Sequence, residues 1–371
     1  MKLERNLIIF MPFIDGGGVE KNLYIISNFL SSKFKNLYIC TLSKNRKNKF
    51  NKKIKFIYPN INFSKNLNIR IKYLICLYTL FKFLVRNNRS VILSFQANFY
   101  CVLLCKLLNK KIIVRSNSSP SGWYHNFFKK NIYRNIMSLA DTIIVNSYDF
   151  KIQMQRILKK KVVCVYNPLD RNQIIQKSKK KIQNKLFQKS NSLKILNIGR
   201  LTEQKDQITI LKSAKILVKN NIRFRILIIG SGVKKINLIK FIEKNDLKKY
   251  IKIIEFVENP YPYLKKCNVF VLSSIYEGLP NVLLEAATLK KFIISTNCPT
   301  GPREILDNGK GGIFFKVKDY NDLASKIIDF KKNKFDKKKK INHSLRKLDR
   351  FNYNINLNKY LKIIKNIYNL I

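Results

Sequence analysis

The sequence predicts an α/β protein made of two doubly wound parallel sheets, and three observations carry that prediction. The chain has 371 residues with 46% hydrophobic content, too long for one ordinary core and suited to two domains. Short β-branched runs alternate with helix-length segments from one end to the other. The runs are apolar throughout rather than every second residue, as in strands covered on both faces by helices.

Taken in order, the strands of the first half read "NLIIFM", "NLYICTL", "IKFIY", "SVILSF", "KIIVRS", "DTIIVN" and "VVCVY". Those of the second half read "KILNIG", "FRILIIG", "IKIIEFV", "VFVLSS", "KFIIST" and "GIFF". Helical segments lie between most of them, which makes each half a Rossmann-like unit. The stretch "NPLDRNQIIQKSKKKIQNKLFQKSNS" is polar and basic and opens on an Asn-Pro turn signal. It sets the expected boundaries: a first domain over 1–168, a linker over 169–191, a second domain over 192–340. The tail "RFNYNINLNKYLKIIKNIYNLI" has apolar residues at helical spacing, so 341–371 is expected to form C-terminal helices packing back toward the first domain.

Charge and cysteine usage bound the function class. A formal net charge of +53, from 74 Lys and Arg against 21 Asp and Glu, suits a polyanionic partner, either nucleic acid or an anionic membrane surface. The competing explanation is codon composition, because Lys, Asn, Ile, Phe and Tyr are the residues of A/T-rich codons. The seven cysteines, Cys40, Cys76, Cys101, Cys105, Cys164, Cys267 and Cys298, form no CxxC pair. They read as small core residues in a reducing compartment. "NLIIFMPF" lacks a signal-peptide pattern, so the cytoplasm is the expected location. "IKYLICLYTLFKFLV", residues 71–85, is interrupted by Lys82 and falls short of a membrane span. It is expected to be a buried or interfacial helix, and with the basic charge it suggests peripheral attachment to the inner face of the cytoplasmic membrane.

Four motifs fall at the carboxyl ends of predicted strands, where open α/β sheets bind ligands, in a cleft between the two domains. In "DGGGVEKN", Gly16, Gly17 and Gly18 let backbone N–H groups and a helix start approach an anion, although a plain tight turn explains them equally well. In "NIGRLTEQKDQ", Gly199 ends a strand, and Arg200 and Lys205 flank the next helix start as a clamp for a diphosphate. "IIGSGVKK" places Gly230 and Gly232 in another strand-end turn. In "YEGLPNVLLEAATLKK", Glu277 and Gly278 form the loop and Pro280 stands as the first residue of a helix to about Leu289. The N–H groups of Leu279, Pro280's neighbours Asn281 and Val282 then point at an anion. Glu285 in the second turn is placed to accept from ribose hydroxyls, and Glu277 to hold a sugar.

These residues resemble a known family. "EGLPNVLLEA" is similar to the E-x7-E signature of the family 4 retaining glycosyltransferases, "NIGRLTEQKD" to their Gly-Arg-Leu…Gln-Lys motif, and "GGVEKN" to their Gly-Gly-x-Glu. "STNCPTGPREIL" further resembles a subgroup of bacterial enzymes building surface glycans, some of which transfer N-acetylhexosamines to polyprenyl-diphosphate-linked acceptors. The resemblance implies a GT-B fold, a nucleotide-diphosphate sugar (a UDP-sugar foremost) as co-substrate, and transfer with retention. It implies that Arg200 and Lys205 stabilise the departing diphosphate, that Glu285 binds the ribose and that Glu277 positions the sugar. Neither a metal nor a cofactor is expected, since no Asp-x-Asp pair occurs and the two cations supply charge stabilisation. One departure stands out: family members carry a histidine near "IIVRSNSSPSGWYHN", where this chain has Ser116 and Asn117. Asn117 is the preferred substitute, with His125 the alternative. His343 reads as surface.

Three rival classes are weighed against this reading. A nucleic-acid-binding protein explains the charge but not four motifs at strand ends. A glycoside hydrolase uses two carboxylates but needs no Arg-Lys clamp. A nucleotide-sugar epimerase on the same scaffold is the nearest rival, and it needs no acceptor.

Overall fold

The computed structural model describes residues 3–14, 16–44, 47–60, 68–117, 127–181 and 191–369. The first half runs β1 (Asn6–Phe10), α1 (Gly18–Ser31), β2 (Leu37–Cys40), β3 (Lys55–Ile57), α2 (Ile69–Arg86), β4 (Ser90–Ser94), α3 (Asn98–Leu107), β5 (Lys111–Ser116), α4 (Phe127–Ser138), β6 (Thr142–Val145), α5 (Tyr148–Leu158) and β7 (Val162–Cys164). The second half runs α6 (Arg171–Lys177), β8 (Leu193–Ile198), α7 (Gln207–Lys219), β9 (Phe224–Ile229), α8 (Lys235–Lys244), β10 (Ile251–Ile254), α9 (Tyr261–Lys266), β11 (Val269–Leu272), α10 (Asn281–Thr288), β12 (Phe292–Thr296), α11 (Pro302–Ile305), β13 (Ile313–Phe315), α12 (Tyr320–Lys331), α13 (Lys337–Arg346) and α14 (Tyr353–Tyr368).

Two compact units result: 1–168 together with 353–371, and 169–352. In the first, seven parallel strands lie in the order β3-β2-β1-β4-β5-β6-β7. Leu7 and Ile9 of β1 pack on one face with α1 and α14, while Ile8 and Phe10 pack on the other with α2, α3 and α5. Because both faces are covered, every residue of such a strand gains from being apolar, at ~1.5–3 kcal/mol per buried Leu, Ile or Phe. That is why the runs are continuous. In the second unit, six parallel strands lie in the order β10-β9-β8-β11-β12-β13.

The units divide differently from the expected boundaries at two places. Residues 169–177 do not begin a linker: α6, capped by the Asp170 side chain, packs on α9 and α10 in the second unit. Of the tail, α13 also stays in the second unit, and only 353–371 joins the first. There Leu357, Tyr360, Ile364 and Ile367 of α14 form a buried stripe at spacings of three and four, which the first unit's core takes up. His343 of α13 is half-buried and lies 2.7 Å from Asp307 Oδ2, not on open surface. Among the cysteines, all but Cys164 are buried.

A buried cation ties α14 to its sheet. Arg115 of β5 is fully buried, donates from Nε to the Tyr360 hydroxyl (2.8 Å) and from Nη2 to Asn167 Oδ1 (2.8 Å), and lies 5.1 Å from the centre of the Phe95 ring. A guanidinium held by neutral acceptors depends on each of them. Tyr360→Phe is expected to lower stability by about 2 kcal/mol, read as a lower melting temperature. An unchanged melting temperature would show that this bond contributes nothing.

Candidate active site

In the second unit the strand order reverses its direction of growth between β8 and β11. This is the switch point at which open α/β sheets bind ligands, beyond the strand carboxyl ends. Gly199 follows β8 directly, Gly230 follows β9, and the 273–280 loop follows β11.

The β8 and β9 loops touch. Gly199 N–H donates to Ile229 O (3.0 Å), Leu201 N–H to Ser231 O (2.9 Å), and a Cβ on Gly230 would stand 1.9 Å from the Gly199 carbonyl oxygen. Only glycine permits that approach. From this fixed base the chain passes through exposed Arg200 into a 3-10 turn, Glu203–Lys205, ahead of α7. The turn is sewn to the β11 loop. Ile275 N–H donates to Gln204 O (2.8 Å), Gln204 Nε2 to Tyr276 O (2.9 Å), and Ser273 Oγ to Lys205 O (2.7 Å).

Those bonds bring two sequence-predicted residues together. Lys205 Nζ forms an ion pair with Glu277 Oε1, both side chains largely withdrawn from solvent. In the sequence the two motifs point to separate partners, a diphosphate and a sugar, and a separation of 72 residues conceals the pairing. With 6% exposure Glu277 is buried, so the pair is weakly screened, and removing either charge would leave the other uncompensated.

The loop that holds Glu277 is braced from the far side. Thr300 Oγ1 donates to Glu277 O. Gly301, at φ +68°, places its α-carbon so close that a Cβ would lie 2.2 Å from Gly278 O and 2.7 Å from Pro280 Cδ. Neither Thr300 nor Gly301 stands out in the sequence as a site residue, although "NCPTGPRE" carries the Thr-Gly-Pro turn signal that places them. Buried Cys298 adjoins the pair: burial first, then the Glu277 charge, pushes its thiol up to about 12. It is a neutral side chain at ordinary pH and no nucleophile.

α10 begins one residue later than expected. Pro280 is its N-cap, with ψ of 105°, and Asn281 its first helical residue, while the helix ends at Thr288. Pro280 supplies no side-chain cap, and Asn281 and Val282 stand in the first turn of a helix whose dipole favours an anion. Glu285, one turn in, is 5% exposed among Leu283, Leu284 and Ala286. Leu279 is buried. Arg200, Lys205, Glu277, Gly278 and Glu285 therefore belong to one unit and to the carboxyl edge of one sheet.

The remaining candidates lie in the first unit. Gly17 is the N-cap of α1, which Gly18 opens, and a Cβ on Gly17 would meet Glu20 Oε2 at 2.9 Å. Asn117, half-buried after β5, donates from Nδ2 to Phe95 O (2.9 Å), and its Oδ1 has no hydrogen-bond partner among the described residues. His125 lies outside the described residues.

Comparison with known proteins adds to this geometry. Residues 178–348 match the family model described as glycosyl transferases group 1. Over 339 residues the chain is 26% identical to the N-acetylgalactosamine-N,N'-diacetylbacillosaminyl-diphospho-undecaprenol 4-alpha-N-acetylgalactosaminyltransferase of Campylobacter jejuni, covering 86% of this chain and 88% of that one. It is 34% identical over 218 residues to an uncharacterized glycosyltransferase of Methanocaldococcus jannaschii, covering 54% of this chain and 53% of the relative, about half its length. Among solved structures, the sucrose-phosphate synthase of Thermosynechococcus elongatus superposes with a TM-score of 0.82 at 12% identity, over 99% of this chain and all of that one. Anabaena HepE in complex with UDP-glucose gives 0.78 at 12% identity, over 98% and 100%. The chain has the GT-B fold, and its second unit carries a group 1 glycosyltransferase domain. Its group 1 match spans β8 to α13, so the match covers the Lys205–Glu277 pair, Arg200, Glu285 and their braces. Within that domain Arg200, Lys205, Glu277 and Glu285 stand at the strand ends around one switch point.

Proposed function

We propose that the protein moves a sugar from a nucleotide-diphosphate donor, a UDP-N-acetylhexosamine in the first place, to a polyprenyl-diphosphate-linked saccharide in bacterial surface glycan synthesis, with retention at the anomeric carbon. The observation that carries the reading is the Lys205–Glu277 pair, at the same strand-end edge that bears Arg200 and the start of α10. The order of motifs supports the retaining class. The Campylobacter relative and the S. aureus capsular polysaccharide biosynthesis glycosyltransferase CapM, 29% identical over 134 residues, support the glycan setting.

In this reading the donor diphosphate meets Arg200 and Lys205, and the first-turn amides of α10 add a fixed dipole. Glu285 takes the ribose hydroxyls. Glu277, released from Lys205 as the diphosphate arrives, holds the sugar. The bond from the anomeric carbon to the diphosphate oxygen breaks, the acceptor oxygen bonds to that carbon on the same face, and the acceptor proton passes to the departing diphosphate. Negative charge grows on the diphosphate, and preorganised cations stabilise it there. Asn117, with its unpaired Oδ1, is assigned to a substrate hydroxyl, and Gly17 and Gly18 to close backbone approach.

Two measurements test this. Proton NMR of the product should show the donor's anomeric configuration preserved, and an inverted product would overturn the retaining assignment. Because the two cations carry the charge stabilisation, transfer is expected to persist in EDTA. Loss of activity with the chelator, restored by manganese or magnesium, would contradict that.

A further inference from the structure

α2 buries Cys76, Thr79, Leu80 and Leu84 against the first unit's core, as an amphipathic helix does. Its outward face is not polar. Ile71, Leu74, Tyr78, Phe81 and Val85 recur at spacings of three and four and are 45%, 60%, 50%, 38% and 53% exposed. At 100° per residue they fill an arc of roughly 80°. Exposed Arg70 borders the arc on one side, exposed Lys82 and Arg86 on the other, and the helix carries no Asp or Glu. Lys82 Nζ lies 4.6 Å from the centre of the Tyr78 ring, its stem along the apolar stripe and its charge at the margin.

We infer that this face of α2 is where the protein lies on a bilayer bearing anionic phospholipid. A contiguous apolar stripe on a folded surface marks something that covers it. Here the cover must accept apolar side chains along the middle and cations along both margins, which is the layering of acyl chains and phosphates at a membrane interface. A second copy fits less well. A two-fold contact through this stripe would bring Arg70, Lys82 and Arg86 against their own counterparts with no carboxylate on the helix to offset them. No helix among the described residues is long and apolar enough to cross a membrane, so α2 would lie in the interface plane. The inference goes beyond the transfer reaction and does not depend on which donor or acceptor is used.

The test is flotation of the full chain with phosphatidylcholine vesicles, with or without about one third phosphatidylglycerol. Partition is expected to be at least about tenfold stronger on the anionic vesicles and to fall with added salt. Replacing Leu74, Tyr78 and Val85 together by Gln should lower it about tenfold or more, and replacing Arg70, Lys82 and Arg86 by Gln should flatten the salt response. In the unmodified protein, amide hydrogen exchange along α2 should slow when anionic vesicles are added, a readout that needs no variant to fold. Unslowed α2 exchange during flotation would overturn the inference. So would absence of vesicle binding, or unchanged binding in both variants at wild-type melting temperature. Loss of a dimer in sedimentation of the Gln-substituted apolar variant, with flotation intact, would assign the stripe to a second copy instead.

Discussion

Glu277→Gln is expected to lower kcat by about 10² or more, equivalent to roughly 2.7 kcal/mol of transition-state stabilisation. The substitution preserves shape while removing the charge that pairs with Lys205 and that, in the proposed arrangement, holds the donor sugar beside the breaking bond. Small displacements there are costly because the reacting atoms must stay aligned while charge develops. Glu285→Gln is expected to behave differently. A contact to ribose is made equally in ground and transition states, so the donor KM should rise more than kcat falls. The ion pair adds a further expectation. Lys205→Met should also depress kcat, and the Glu277→Gln, Lys205→Met double variant should lose less than the two single losses combined, since each single change strands a buried partner. Steady-state kinetics over a donor series checks all three. If Glu277→Gln changes only KM, or if Glu285→Gln is the change that stops turnover with donor binding intact, the roles are wrongly assigned.

Gly230→Ala is expected to destabilise the second unit by about 3 kcal/mol, one of the larger effects a single methyl can have. The new carbon would stand 1.9 Å from the Gly199 carbonyl oxygen, a backbone atom that no rotamer change can move aside. Either the β9 turn or the β8 loop must shift. Because that loop leads into Arg200 and the Lys205 turn, kcat/KM should fall as well, even in the fraction that remains folded. Gly309→Ala supplies the comparison. Its Cβ would meet only the Phe314 ring at 3.5 Å, although φ of +91° is unfavourable for alanine, so a loss of about 1 kcal/mol is expected. Denaturant melts of both variants distinguish the steric account from a general intolerance of side chains in these turns, which would give equal losses.

Much of the fold was legible because strands covered on both faces leave a strong local signal. Each of the thirteen apolar runs became a strand, from β1 to the three-residue β13. The domain edges were less legible for a physical reason. α6 reads as basic linker because a single residue, Ile174, is buried there, and its place is decided by contacts with α9 and α10, far along the chain. The tail showed a helical period throughout, yet only Tyr353 onward carries the broad stripe that the first unit's core accepts.

At the site, residue types and positions could be read from motif spacing, whereas pairing could not. Lys205 and Glu277 meet through bonds made by Gln204, Ser273 and Ile275 main-chain or side-chain groups, and nothing local in either motif announces the other. Pro280 shows the limit of boundary reading. Proline is favoured at the first helical position, yet its ψ of 105° places it at the cap. Arg115, wholly buried and bonded to Tyr360 and Asn167, resembles any other basic residue in a chain of net charge +53.

The most direct test of the central claim is incubation of the protein with a panel of UDP- and GDP-sugars, with and without a polyprenyl-diphosphate-linked saccharide, read by mass spectrometry. The account predicts that one donor, a UDP-N-acetylhexosamine foremost, adds a single sugar mass to the acceptor and releases the nucleoside diphosphate, and that Glu277→Gln suppresses this. Conversion of a nucleotide sugar to its epimer without any acceptor, or no turnover of any donor while the chain is folded, would contradict it.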